Sequence, residues 1–261
     1  MEIDLVGKKA LVCGASRGIG KAVAIALAES GATVTLLARN AELLESTVKA
    51  LPQKFSQKHN FFTVDMSNLQ NVQNFVDNEL KLNNIHILIN NAGGPAAGKL
   101  YEATTTSLES AFQQHLLCNH LLMQSLIRGM KEESYGRIIN IISTSVKQPL
   151  ENLGVSNSIR AAVASWAKTL ANELAIWNIT VNNVLPGATE TDRLREIITR
   201  ESQLKQKTEE EVRNNMLSQI PLKRFGQASE LANAVAFLAS PLASYINGIN
   251  LPVDGGRTKS L

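Results

Sequence analysis

Short, almost uninterrupted apolar runs alternate along this chain with longer segments whose apolar positions recur every three or four residues. The first pattern suits strands covered on both faces, and the second suits helices that lay one face on a sheet. Strands are predicted at Lys9–Cys13, Thr33–Leu37, Asn60–Val64, Ile85–Ile89, Arg137–Ile142, Thr180–Leu185 and Gly248–Val253. Helices are predicted at Gly20–Ser30, Ala41–Leu51, Leu69–Lys81, Ser107–Lys131, Ser156–Trp177 and Ser229–Leu238. Strand and helix in turn make βαβ units, so the fold class is α/β with a doubly wound parallel sheet. No repeat, low-complexity tract or Pro/Gly/Ser linker divides the 261 residues, which are read as one domain. The polar, charge-rich segment 192–219 breaks the alternation directly after a strand end. Open α/β sheets bind ligands at that end of their strands, so the segment is expected to be a substrate lid.

Composition narrows the classes of partner. With 44% hydrophobic but only 5% aromatic residues, the interior is expected to be aliphatic. The net charge of +3 comes without a basic stripe: Lys205 and Lys207 are offset at once by Glu209, Glu210 and Glu211. Nucleic acid is therefore not an expected partner. Cys13 and Cys118 have neither disulfide-framework nor metal-ligand spacing, and no metal is predicted. No apolar run reaches membrane-spanning length, and Met1-Glu2-Ile3-Asp4 lacks the layout of a signal peptide. The expectation is a cytoplasmic protein with no membrane contact.

The strand at Lys9–Cys13 runs into Gly14-Ala15-Ser16-Arg17-Gly18-Ile19-Gly20 and then a helix. Glycines here allow a tight turn and close approach to a pyrophosphate, and the helix N-terminus offers it oriented N–H groups. Gly14, Ser16, Arg17, Gly18, Ile19 and Gly20 are thus candidate dinucleotide-binding residues. The second strand ends in Leu37-Ala38-Arg39-Asn40, where NAD sites usually carry an acid for the ribose hydroxyl. An acid would repel a 2′-phosphate, whereas Arg39 can grip it with two charge-assisted bonds and Arg17 can close from the other side. The predicted cofactor is NADP.

Six stretches, in order, make the chain resemble the short-chain dehydrogenase/reductase family. They are the glycine loop, Val64-Asp65-Met66, Asn90-Asn91-Ala92-Gly93, Gly136-Arg137-Ile138-Ile139-Asn140-Ile141, Pro186-Gly187 with Thr191, and Val253-Asp254-Gly255-Gly256. Ile220-Pro221 to Gly226 and Phe237–Ser240 resemble the 3-oxoacyl carrier-protein reductases in particular. The resemblance implies a Rossmann-type sheet of about seven strands in three layers, and a homotetramer. It implies hydride transfer between NADP(H) and a carbonyl or alcohol carbon, on a small-molecule or acyl-thioester substrate. It further implies that Asp65 and Met66 flank the adenine, that Asn91, Ala92 and Gly93 line the cofactor, and that Pro186, Gly187 and Thr191 touch the nicotinamide end.

The same resemblance marks a departure. The family carries a catalytic Asn, Ser, Tyr and Lys, the last two spaced as YxxxK, and only Ser143 matches cleanly here. Ser156 falls at the Tyr position and Arg160 at the Lys position, while His115 falls at the Asn position, one helical turn before Asn119. A serine hydroxyl stops short of where a phenol would reach and is a far weaker acid. Arg160 is expected still to bond the nicotinamide ribose, but an arginine does not relay protons. His115 is the expected substitute donor, because an imidazole titrates near neutrality. Lys147 and Tyr101 are further candidates for the substrate end. The leading expectation is an NADP-dependent reductase with a non-standard proton donor. The alternatives are a non-catalytic NADP(H) sensor or partner subunit, and non-redox chemistry on the same scaffold.

Overall fold

The computed structural model describes residues 2–80 and 84–260. Seven strands form one sheet: β1 Lys9–Cys13, β2 Thr33–Ala38, β3 Asn60–Thr63, β4 Ile87–Asn90, β5 Gly136–Ile141, β6 Ile179–Pro186 and β7 Asn250–Val253. All pair in parallel, in the order β3-β2-β1-β4-β5-β6-β7. This is the predicted doubly wound, Rossmann-type α/β architecture. Its helices are α1 Gly18–Glu29, α2 Ala41–Ala50, α3 Leu69–Phe75, α4 Thr105–Phe112, α5 Cys118–Glu132, α6 Gly154–Leu174, α7 Asp192–Lys205, α8 Glu209–Ser218 and α9 Ala228–Ala239.

Alternate strand residues feed two cores, one on each face of the sheet. Val34, Leu36, Ile87 and Ile89 pack with Leu27 of α1 and Val235 of α9. Leu11, Leu37, Leu88 and Ile138 pack with Leu122 of α5 and Leu170 of α6. These three layers explain the near-continuous apolar runs, since each buried Leu, Ile or Val is worth about 1.5–3 kcal/mol. Polar residues interrupt the second face in one place. Asn90, Asn140, Asn183 and Asn250 stand in register across β4 to β7, each amide donating to the next side-chain oxygen at 2.8 Å.

Most element ends shift slightly from the sequence pattern, β4 for instance starting at Ile87 rather than Ile85, and some differences have an identifiable cause. The helix predicted at Ser107–Lys131 is split into α4 and α5 by a π turn at Gln113–Leu117. Within it Gln113 donates to the Ser67 carbonyl at 2.8 Å and Gln114 to the Gly93 carbonyl at 3.3 Å. The helix predicted at Leu69–Lys81 likewise continues from α3 as a π turn at Val76–Leu80, and its predicted end at Lys81 lies outside the described residues. The last strand starts at Asn250 rather than Gly248, because Gly248 takes a left-handed backbone (φ +73°). The 192–219 segment forms α7 and α8, which share a small core of Leu194, Ile198, Val212, Ile220 and Phe225. Ile197 and Leu204 of the same segment are exposed instead. No helix among the described residues is long and apolar enough to cross a membrane, and none of their His, Cys, Asp and Glu side chains cluster as a metal site would require.

Candidate dinucleotide cleft and its inner end

Strand order reverses between β1 and β4, and a cleft of about 830 Å³ opens there beyond the carboxyl ends of the strands. Gly14, Ser16, Arg17, Gly18 and Ile19 line it after β1, Arg39 after β2, and Asp65 and Met66 after β3. Asn91, Ala92 and Gly93 line it after β4, Pro186, Gly187 and Thr191 after β6, and Arg160 reaches it from α6. Of the predicted cofactor residues only Gly20 stands back from the cleft. It is buried, and a Cβ there would collide with the Gly14 carbonyl oxygen, so it serves the packing of α1 against the loop.

The loop is shaped to admit an anion. Gly14 has φ +61°, and a Cβ on it would lie 2.6 Å from the Asn91 carbonyl oxygen. Asn91 in turn donates its side-chain amide to the carbonyls of Cys13 and Gly14 at 3.2 and 3.3 Å, tying the end of β4 to the loop. No side chain caps α1 and no acid lies in its first turn, which leaves its N–H groups facing the cleft. Arg17 and Arg39 are both exposed, and neither is engaged in a salt bridge among the described residues. Arg39 directly precedes Asn40, whose side chain accepts from the Leu43 N–H and caps α2. Burial pushes the Asp65 carboxyl up, but two bonds from Ser67 and the charge of Arg39 outweigh it and hold the group below the usual range. A tight glycine cradle, an open helix N-terminus and two uncommitted guanidinium groups fit a dinucleotide bearing an extra phosphate. Thr191, which caps α7, lies so close to Gly18 that a Cβ there would stand 3.5 Å from its methyl group.

The inner end of the cleft departs further from expectation. Arg160 is 7% exposed, and it donates to the carbonyls of Ile141 (3.1 Å) and Ala92 (3.4 Å). Its Nε has no hydrogen-bond partner among the described residues, and burial draws the guanidinium down to about 10, so it stays charged at neutral pH. His115 sits in the π turn, 2% exposed, and its Nε2 has no hydrogen-bond partner among the described residues. Burial first, and the charge of Arg160 second, pull its imidazole down to about 3, against a bond to the Gly93 backbone that raises it. The predicted group titrating near neutrality is therefore corrected: His115 is neutral there and has no proton to donate as an imidazolium. Sequence offered no signal for this, because the burial and the nearby charge of Arg160 arise only when α6 packs on the π turn.

Ser143 caps the short turn Thr144–Val146, its Oγ accepting from the Ser145 N–H at 3.0 Å. Ser156 is half-buried in the first turn of α6. Neither they nor His115 line the cleft, so Arg160 alone of the four expected catalytic residues does. Asn119 is buried on α5, outside the cleft. Tyr101 is 80% exposed with the Lys99 ammonium 5.6 Å from its ring centre, and the Lys147 carbonyl accepts from the Ser260 hydroxyl. Gln114, which lines the cleft from the π turn, was not anticipated, because a regular helical period leaves it on no particular face.

A family model described as Enoyl-(Acyl carrier protein) reductase matches residues 14–258. Among curated relatives, the 3-oxoacyl-[acyl-carrier-protein] reductase FabG of Aquifex aeolicus is 35% identical, covering 98% of this chain and 99% of its own. The NADPH-dependent reductase BacG of Bacillus subtilis is 34% identical, covering 97% and 99%. Among solved structures, L-sorbose reductase from Gluconobacter frateurii complexed with NADPH and L-sorbose superposes with a TM-score of 0.93 at 30% identity, over all of both chains. The chain belongs to the short-chain dehydrogenase/reductase family.

Proposed function

We propose that the protein is an NADP(H)-dependent oxidoreductase acting on a carbonyl or alcohol carbon without a side-chain general acid of the usual kind. The observation that carries this reading is the pair of uncommitted guanidinium groups, Arg17 and Arg39, on one rim of an intact glycine cradle. Arg39 and Arg17 bind the 2′-phosphate, the loop N–H groups bind the pyrophosphate, and Asp65 and Met66 flank the adenine. Asn91, Ala92, Gly93, Pro186, Gly187, Thr191 and Arg160 hold the nicotinamide half. The bound nicotinamide supplies or accepts hydride. Arg160, permanently charged, stabilises negative charge that develops on the substrate oxygen, and Ser143, which accepts its cap bond and so keeps its hydroxyl proton free to donate, orients that oxygen. Ser156 is too short to take the place of a phenol, so the proton comes from solvent. Losing a positioned acid typically costs about a hundredfold to ten-thousandfold in rate, which leaves a slow enzyme. The 192–219 helices act as the lid of this single-domain protein, and the substrate is a small-molecule ketone or an acyl thioester. A homotetramer is the proposed assembly.

The neutral, sealed-in His115 and the position of Ser143 and Ser156 off the cleft lining favour a second reading, a non-catalytic NADP(H) sensor or partner subunit. Single-turnover oxidation of bound NADPH against ketones, quinones and 3-oxoacyl thioesters separates the two. Substrate-dependent oxidation by the unaltered protein establishes the reductase. Tight binding without turnover, with activity gained by the Ser156→Tyr/Arg160→Lys protein, establishes the sensor or partner.

A further inference from the structure

The inner end of the cleft holds a cation that no carboxylate among the described residues pairs with. Arg160 is 93% removed from solvent, its hydrogen bonds go to backbone carbonyls alone, and its Nε is unpartnered. No carboxylate forms a salt bridge with it among the described residues. The acids that line the cleft are committed elsewhere. Asp65 is beyond β3 and bonded to Ser67, while Asp192 and Glu196 lie on α7, paired with Arg195 at 3.0 Å and Arg193 at 3.1 Å. His115, whose imidazole feels the Arg160 charge, is electrically neutral at physiological pH.

A buried charge left without a counter-ion is costly, and its field is weakly screened. Whatever occupies the space over Arg160 is therefore selected by charge as well as shape. A dinucleotide anchored by Arg39 beyond β2 and by the glycine loop beyond β1 extends its other half over the ends of β4 and β5, following the strand order. Arg160 is fixed there, between the carbonyls of Ala92 after β4 and Ile141 at the end of β5. The two redox forms of a nicotinamide ring differ by one unit of charge: the oxidised ring is a cation and the reduced ring is neutral.

We infer that Arg160 makes this cleft discriminate between the redox forms of its own cofactor, holding NADPH and disfavouring NADP⁺. The inference rests on the NADP(H) reading above. It gives the protein a means of staying loaded with the reduced form whether or not it turns over rapidly.

The test is titration calorimetry of NADPH and NADP⁺ with the unaltered protein, Arg160→Lys and Arg160→Gln, with circular dichroism as the check on folding. The expected result is NADPH bound at least tenfold more tightly than NADP⁺ by the unaltered protein. Arg160→Lys, which keeps the charge, retains most of that ratio, and Arg160→Gln reduces it to threefold or less, chiefly by binding NADP⁺ better. If Arg160→Gln does not fold, Arg160→Met takes its place as the uncharged variant, beside the unaltered protein and Arg160→Lys. In the last two the bound nicotinamide couple is shifted positive of the free couple by about 30 mV for each tenfold of preference. Equal affinity for the two forms in the unaltered protein, or an unchanged ratio in the folded uncharged variant, overturns the inference and leaves the NADP(H) reading intact. Failure to bind either form overturns that reading itself, and the inference with it.

Discussion

Asn140 on β5 donates its side-chain amide to Asn183 on β6 at 2.8 Å, with both side chains in the dry middle of the molecule. Each is also bonded to a further asparagine, so the ladder spans four strands. Replacing Asn140 with Ala would strand the Asn90 amide and the Asn183 oxygen without partners. Each orphaned buried group costs about 1–3 kcal/mol. The Asn140→Ala protein is expected to lose about 3 kcal/mol in urea unfolding, and a loss below about 1 kcal/mol would mean that water rebuilds the ladder.

At the opposite rim, Arg39→Ala is expected to change cofactor choice without disturbing the fold. It removes a charge-assisted grip worth about 1.5–3 kcal/mol. Affinity for NADPH should fall roughly tenfold to a hundredfold by the affinity arithmetic, while affinity for NADH changes little. Parallel titrations with the two cofactors measure this directly, and equal losses for both would remove Arg39 from phosphate recognition.

His115 makes stability depend on acid in a defined direction. Its folded value, about 3, lies below the unfolded value of 6.5. Between the two, the unfolded chain takes up a proton and the folded chain does not. The contribution is complete above pH 6.5 and is lost as pH falls towards 3, reaching about 2 kcal/mol at pH 5. His86 is shifted the same way by burial, so the informative quantity is the difference between the unaltered protein and His115→Asn. The variant should show a flatter acid limb in denaturant unfolding between pH 7.5 and 5, and two parallel limbs would refute the assignment.

Gly14→Ala tests the cradle. The left-handed backbone costs a non-glycine residue about 1–2 kcal/mol, and the added Cβ meets the Asn91 carbonyl besides. The variant should melt lower and bind NADPH more than tenfold more weakly, with Asn91 displaced from its bonds to Cys13 and Gly14. Unchanged binding would show that the loop tolerates a side chain at its tightest point.

These sites differ in how far the chain alone reveals them. The Lys9–Cys13 strand matches residue for residue, and the glycine loop was legible because strand, turn and helix are adjacent in sequence. Arg39 was legible for the same reason, one residue past a strand end. The environment of His115 was not, since its neutrality depends first on burial and then on the charge of Arg160, which comes from a different helix. The π turns at Gln113–Leu117 and Val76–Leu80 were also invisible, because an extra residue in one turn barely disturbs an apolar period read over a long window. Gly248 marked its strand boundary only through its backbone angle, which the apolar run could not convey.

The π turn between α4 and α5 has a mechanical meaning of its own. One surplus residue turns everything beyond it by about 100° relative to a continuous α-helix. That offset lets Ala111 of α4 face Val155 and Ile159 of α6, while Leu122 and Leu126 of α5 settle on the sheet. It also brings Gln113 and Gln114 to the loops after β3 and β4. The segment therefore works as a phase adjuster, set by the number of residues more than by their kind. Substitutions at Leu116 or Leu117 change packing locally, whereas deleting one residue would rotate α5 out of its seat, release Gln113 from the Ser67 carbonyl and draw Gln114 off the rim of the cleft.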